Sequence, residues 1–136
     1  MFQMKEYTTQ MDAARKGLIT PQMKKVASKE HIAEEQLRQL VSEGKVVICA
    51  NKKHICLEPE GIGSMLRTKI NVNLGVSRDC KNYDMEMQKV LSAVALGAEA
   101  IMDLSSHGNT QPFRQKLVAE CPAMIGTVPV YDSVIH

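Results

Sequence analysis

Hydrophobic and polar positions follow two different patterns along this chain, one before residue 64 and one after it. Residues 3–16 hold helix formers with a weak apolar face closed by Gly17, and predict a helix that leans on another element. In Leu18-Ile19-Thr20-Pro21-Gln22-Met23 a capping hydroxyl precedes a proline at the first helical position, where its missing N–H costs nothing, so a short helix runs to about Ser28. Ala33 to Glu43 sets Leu37, Leu40 and Val41 at the three-and-four spacing of an amphipathic helix, with Gly44 as its left-handed stop. Lys45 to Ala50 reads as a buried strand and Ile55 to Leu57 as a second short extended piece. Pro59, Gly61 and Gly63 then mark a loop.

From residue 67 strands and helices alternate. Lys69 to Leu74 reads as a strand. Met87, Val90, Leu91 and Val94 line one face of the helix after Tyr83, and Ala100 to Leu104 is the next strand. Pro112 lies in the first turn of a helix whose apolar positions are Phe113, Leu117 and Val118. Pro122 stops that helix before a third strand, Met124 to Tyr131. Such alternation predicts three parallel strands joined by right-handed helical crossovers. Asn73, Met102 and Tyr131 each fall near a predicted strand's carboxyl end, 29 residues apart in both intervals. A regular strand-helix unit of that length suits a barrel of eight units, about 230 residues in all, or an open doubly wound sheet. The predicted class is α/β: a mainly helical segment with a short strand pair over 1–64, then the first three strands and two helices of a TIM-type (β/α)8 barrel over 65–136, left incomplete.

Composition narrows the function. The chain has 136 residues, 44% of them apolar, with nine Met, two Phe, three Tyr and no Trp, so its core is aliphatic and Met-rich. Its net charge of +2 is far from the basic footprint that recruits nucleic acid by counterion release. No stretch resembles a membrane span or a signal peptide, which predicts a soluble, cytoplasmic chain without nucleic-acid or membrane partners. Cys49, Cys56, Cys80 and Cys121 are scattered through hydrophobic runs without the spacing of a zinc or iron–sulfur site, and read as small buried hydrophobes. His31, His54, His107 and His136 are equally dispersed.

Ligands of barrels and open parallel sheets bind at the carboxyl ends of the strands, which makes Asn73, Met102, Asp103 and Tyr131 the candidate positions. Asn71 and Asn73 share a face of an otherwise aliphatic strand, so they imply either a polar partner on that face or hydrogen bonds to neighbouring loops. Asp103 interrupts an aliphatic strand, where a buried carboxylate needs a cation, backbone donors or a raised pKa; capping the loop at Ser105 and Ser106 is the alternative. Met102 alone reads as core packing. Leu104 to Thr110, before a helix, has the composition of an anion-holding loop, though such runs are more often ordinary turns, and Ser77 to Asn82 reads as a phosphate loop with two cations or as a solvated connection. His54, Cys56 and Glu58 make no convincing nucleophile and base without an oxyanion hole, and Lys52-Lys53-His54 reads as a solvated turn.

Four separate motifs carry a resemblance. Ala14-Arg15-Lys16-Gly17-Leu18-Ile19-Thr20-Pro21-Gln22-Met23 comes first, then Gly61-Ile62-Gly63 with Thr68-Lys69-Ile70-Asn71-Val72-Asn73-Leu74-Gly75-Val76-Ser77. Met102-Asp103-Leu104-Ser105 and Gly126-Thr127-Val128-Pro129-Val130-Tyr131 follow. In this order, over residues 9–134, they resemble the phosphomethylpyrimidine synthase family of thiamine biosynthesis. Two departures stand out: Val76 where the family has a smaller or hydroxyl residue, and Ser106-His107 in place of Thr-Gly.

The resemblance implies a radical S-adenosylmethionine lyase that converts 5-aminoimidazole ribotide to 4-amino-5-hydroxymethyl-2-methylpyrimidine phosphate with a 4Fe-4S cluster and a divalent metal, zinc. It implies a barrel with substrate at its carboxyl mouth, where Asn73 hydrogen-bonds a polar edge of the substrate, Tyr131 donates through its hydroxyl and Met102 packs on a flat ring. The family's metal-binding histidines and three-cysteine motif correspond to sequence beyond His136, so no metal ligand is assigned in this chain and it is expected to be inactive alone. The competing reading is a non-catalytic binding or interaction module that completes its sheet with another chain. An open sheet edge also favours self-association into a homo-oligomer.

Overall fold

A computed structural model describes residues 7–135, which fall into two compact units. The first comprises residues 1–49 and 59–68, of which those from 7 onward are described. It contains α1 (Gln10–Arg15), α2 (Pro21–Glu30), α3 (Glu34–Ser42) and the strands β1 (Val46–Ile48) and β2 (Gly61–Gly63). Thr9 and Thr20 cap α1 and α2: their hydroxyls accept from Asp12 N at 3.0 Å and Met23 N at 3.1 Å. The first helix is shorter than predicted, because residues 7–9 are not helical; positions 3–6 lie outside the described residues. α2 ends on His31 in the left-handed region, and α3 is followed by Gly44 at φ 74°. Ala13, Ala14, Met23, Val26, Leu37, Leu40 and Val41 form the core with Val46 and Ile48.

The predicted strand Ile55–Leu57 is absent. That stretch is turn, with Ile55 89% exposed, and the partner of β1 is β2, in the segment read as loop. The pairing is antiparallel, Val46 opposite Gly63 and Ile48 opposite Gly61. Glycine permits it, since a Cβ on Gly63 would lie 2.1 Å from the Lys45 carbonyl oxygen.

The second unit comprises residues 50–58 and 69–136, described to 135. β3 (Asn71–Leu74), β4 (Ala100–Asp103) and β5 (Met124–Thr127) form a parallel sheet in that order, with α4 (Tyr83–Ala95) and α5 (Gln111–Glu120) as the connections. Val72, Ile101 and Ile125 pair in register and join Met87, Val90, Phe113 and Leu117 in one apolar cluster. The buried stripe of α4 is Glu86, Met87, Val90 and Ala93, whereas Leu91 is 56% exposed; the helix is rotated by about one residue from the predicted face. The sheet is open, with β3 and β5 at its edges, and a three-stranded open sheet is what the described residues contain of the predicted barrel.

The third strand stops at Thr127, four residues earlier than predicted. Pro129 begins α6 (Pro129–Ile135) instead. Proline has the fixed φ of a first helical residue and no N–H for a strand ladder, so it ends the strand and starts the helix. Tyr131 therefore lies on a helix.

Candidate functional site

Parallel pairing sets Asn73 opposite Met102 and Met102 opposite Gly126, so three neighbouring strands contribute one row near their carboxyl ends. Successive strand residues point to opposite faces, which puts this row on the face away from the Val72, Ile101 and Ile125 cluster. The predicted 29-residue interval holds between Asn73 and Met102. The third member of the row is Gly126, because Tyr131 lies beyond the strand end.

Gly126 gives Met102 its seat. A Cβ at Gly126 would stand 2.7 Å from Met102 Cε and 2.8 Å from Sδ, so the thioether lies directly over the glycine. Asn71 and Asn73 are exposed, and Asn71 Nδ2 donates to Asn73 Oδ1 at 2.9 Å. No buried polar partner is required. That bond uses one lone pair of the Asn73 oxygen and does not involve its amide N–H groups.

Asp103 is fully buried at the end of β4 and meets both kinds of demand foreseen for it. Its Oδ1 accepts from Ser105 N at 2.9 Å and its Oδ2 from Arg114 Nε at 2.7 Å. Arg114 Nη1 also donates to Asp132 Oδ2, and Asp132 Oδ1 accepts from Thr110 Oγ1 at 3.2 Å. One guanidinium thus joins β4, α5 and the first turn of α6, next to Tyr131, which is 39% exposed. Burial opposes the Arg114 charge, but the bonds to Asp132 and Asp103 outweigh it and hold the group above its ordinary pKa. Burial, followed by the charge of Asp103, likewise raises the Tyr83 phenol, whose hydroxyl donates to the carbonyls of Asn109 at 3.2 Å and His107 at 3.4 Å.

These bonds decide what the Ser105–Thr110 loop can do. Ser105 is buried with its hydroxyl accepting from Val76 N at 3.1 Å, and Thr110 donates to Asp132, so both hydroxyls serve the fold. Gly75, at φ 136°, packs against the same loop: a Cβ there would be 2.5 Å from Ser105 N. In the Ser77–Asn82 stretch, Asn82 caps α4 by accepting from Met85 N at 3.0 Å. The expectation of four buried cysteines holds for Cys121 alone; Cys49 and Cys56 are half-buried and Cys80 is exposed. His54 is buried as well, instead of lying in a solvated turn, with Nε2 against the Cys121 carbonyl. Among the described residues no three His, Cys, Asp or Glu side chains converge on a metal position.

Arg114 and Asp132 were not foreseen. Asp103 and Arg114 are brought together by a crossover that no local spacing encodes. Gly126 opens the Gly126–Tyr131 motif, but its role depends on the neighbouring strand.

Among the described residues no helix is long and apolar enough to cross a membrane. The chain is 59% identical over 128 residues to a phosphomethylpyrimidine synthase of Clostridium kluyveri, covering 94% of this chain and 29% of that protein. Its identity to the phosphomethylpyrimidine synthase of Alkaliphilus oremlandii is 62% over 129 residues, 95% of this chain and 30% of the relative. That of Clostridium botulinum is 60% identical over 128 residues, again 94% of this chain and 29% of the relative. The chain thus spans about three tenths of the length of the curated relatives it matches. The model of the Radical SAM ThiC family matches residues 9–136, nearly the whole chain, which therefore belongs to that family.

Proposed function

We propose that this chain is the N-terminal portion of a phosphomethylpyrimidine synthase, a carbon–carbon lyase of thiamine biosynthesis, and that it supplies the first substrate contacts of the site. In this reading residues 1–64 are a helical lead-in, and residues 65–136 are the first three strand-helix units of a barrel completed by further sequence. The observation that carries it is the row Asn73, Met102, Gly126 at the carboxyl ends of three parallel strands, in a chain matched to the family from residue 9 onward. Asn73 offers a donor and an acceptor to a polar edge of 5-aminoimidazole ribotide. Met102, fixed over Gly126, presents a polarisable surface to the flat ring. Tyr131 donates its hydroxyl from α6, which Arg114 and Asp132 hold to the end of β4. The product is 4-amino-5-hydroxymethyl-2-methylpyrimidine phosphate, and a cytoplasmic setting suits the free thiols.

The family's radical chemistry needs a 4Fe-4S cluster, S-adenosylmethionine and a divalent metal, for which we propose zinc. The residues present do not fit those groups. The cysteines are dispersed and no metal-holding set converges among the described residues, so no step of the reaction is assigned to a group bound by this chain.

The open edge supports a second reading, an interaction module that completes its sheet with another chain or another copy. A groove of about 600 Å³ beside β3 is lined by Ile70, Val72, Met85 and Leu96, with Ile70 61% and Leu96 88% exposed. Calorimetry with aminoimidazole ribotide, with light scattering on the same sample, separates the two. Binding that falls at least tenfold in Asn73→Ala and Tyr131→Phe supports the synthase reading; association without ribotide binding supports the module. Turnover by the chain alone, after anaerobic reconstitution with iron and sulfide, would overturn its proposed inactivity.

A further inference from the structure

Outside the row just described, the second unit sets the thiol of one cysteine against the backbone of another. Cys56 Sγ lies 3.3 Å from the Cys121 carbonyl oxygen and 3.6 Å from that of Val118, at the C-terminal end of α5. His54 Nε2 reaches the same Cys121 oxygen at 2.5 Å, and Glu58 N donates to the Pro122 carbonyl at 2.9 Å. The 54–58 segment therefore runs beside residues 121–122 and is tied to them at three points. The backbone bond from Glu58 N to Pro122 O sets the two segments side by side, and a disulfide needs segments that close. The two residues differ in access: Cys56 is half-buried and Cys121 is 1% exposed.

We propose that Cys56 and Cys121 form a dithiol modification site, which low-molecular-weight disulfides convert to an intrachain disulfide. The accessible Cys56 thiolate attacks one sulfur of the small disulfide, forming a mixed disulfide and releasing one small thiolate. Cys121 loses its proton to solvent, attacks Cys56 Sγ and releases the second small thiolate. Two protein thiols are oxidised while one small disulfide is reduced to two thiols. His54 Nε2, against the Cys121 carbonyl, ties the Cys56 segment to the end of α5. The order of attack follows from exposure and from the burial that raises the Cys121 thiol's pKa.

The test treats the chain with oxidised glutathione, alkylates the remaining thiols and maps the peptides by mass. The expected result is a linked Cys56–Cys121 peptide, lighter by two hydrogens and restored by dithiothreitol, while the exposed Cys80 takes only a glutathione adduct. In Cys121→Ser the reaction should stop with glutathione on Cys56, and in Cys56→Ser residue 121 should stay unmodified over the same period. In urea the pairing should spread among all four cysteines. Circular dichroism establishes that each variant is folded, and the map of the unsubstituted chain decides if one is not. Linkage of either residue to Cys49 or Cys80, a lasting glutathione adduct on Cys56 of the unsubstituted chain, or no change at residues 56 and 121 would overturn the proposal.

Discussion

Gly126→Ala, measured with and without Met102→Ala, tests whether Met102 is held where the site requires it. Gly126 is not in the left-handed region, so alanine there is compatible with its backbone. On that account alone the substitution should stabilise the chain by about 0.4–1 kcal/mol, by restricting the unfolded state. Opposing this is the new methyl, 2.7 Å from Met102 Cε and 2.8 Å from Sδ, which the methionine must vacate. Overpacking of this kind costs about 1–3 kcal/mol, toward the lower end here because a flexible thioether can move. The single variant should therefore lie between neutral and about 2 kcal/mol less stable. With Met102→Ala in place the obstruction is gone, and Gly126→Ala should become stabilising. The expected coupling is about 1–3 kcal/mol, read from a double-mutant cycle of urea unfolding midpoints at constant slope. The same cost in both backgrounds would refute the seating of Met102 over Gly126.

Asp103→Ala removes the buried partner of Arg114 Nε and Ser105 N and should cost about 3 kcal/mol in urea unfolding. Asp103→Asn should cost less, because it keeps an acceptor for Ser105 N. Thr20→Ala deletes the α2 cap to Met23 N and the bond to Gln10 Oε1 at 2.6 Å, with a thermal-unfolding loss of about 1–2 kcal/mol. Gly75→Ala forces a methyl against the Ser105 backbone at φ 136°, and a loss below about 1 kcal/mol would contradict that geometry. Burial, with the nearby Cys56 adding to it, raises the Cys121 thiol above its ordinary 9.0. The native chain therefore keeps this proton longer than the unfolded one. Its contribution is present below about pH 9 and is lost as pH rises through the folded value, so Cys121→Ala should flatten the alkaline fall in stability.

The elements legible in the sequence are those whose signals are local. Thr20 with Pro21, the Leu37, Leu40 and Val41 spacing and Gly44 mark helix limits within one or two residues, because capping and amphipathic periodicity act inside a single turn. The three aliphatic runs that became parallel strands are equally local. The elements that differ from the expectation turn on partners distant in sequence. Ile55–Leu57 has strand composition but no strand beside it, and Gly61–Gly63 has loop composition but fits against Lys45 and Val46 through its missing side chains. Val128-Pro129 did carry a local signal, since proline starts helices as readily as it ends strands, and the regular 29-residue interval outweighed it.

By itself, then, the sequence determined the family resemblance, the α/β class and the candidates Asn73, Met102, Asp103 and Tyr131. Residue type, cap chemistry and periodicity suffice for these. Only the tertiary structure decided that Gly126, rather than Tyr131, completes the row with Asn73 and Met102. It also decided that Arg114 binds both Asp103 and Asp132, and that Cys56 stands against Cys121. Strand register and helix crossovers bring those residues together, and both depend on burying apolar surface from distant parts of the chain at once.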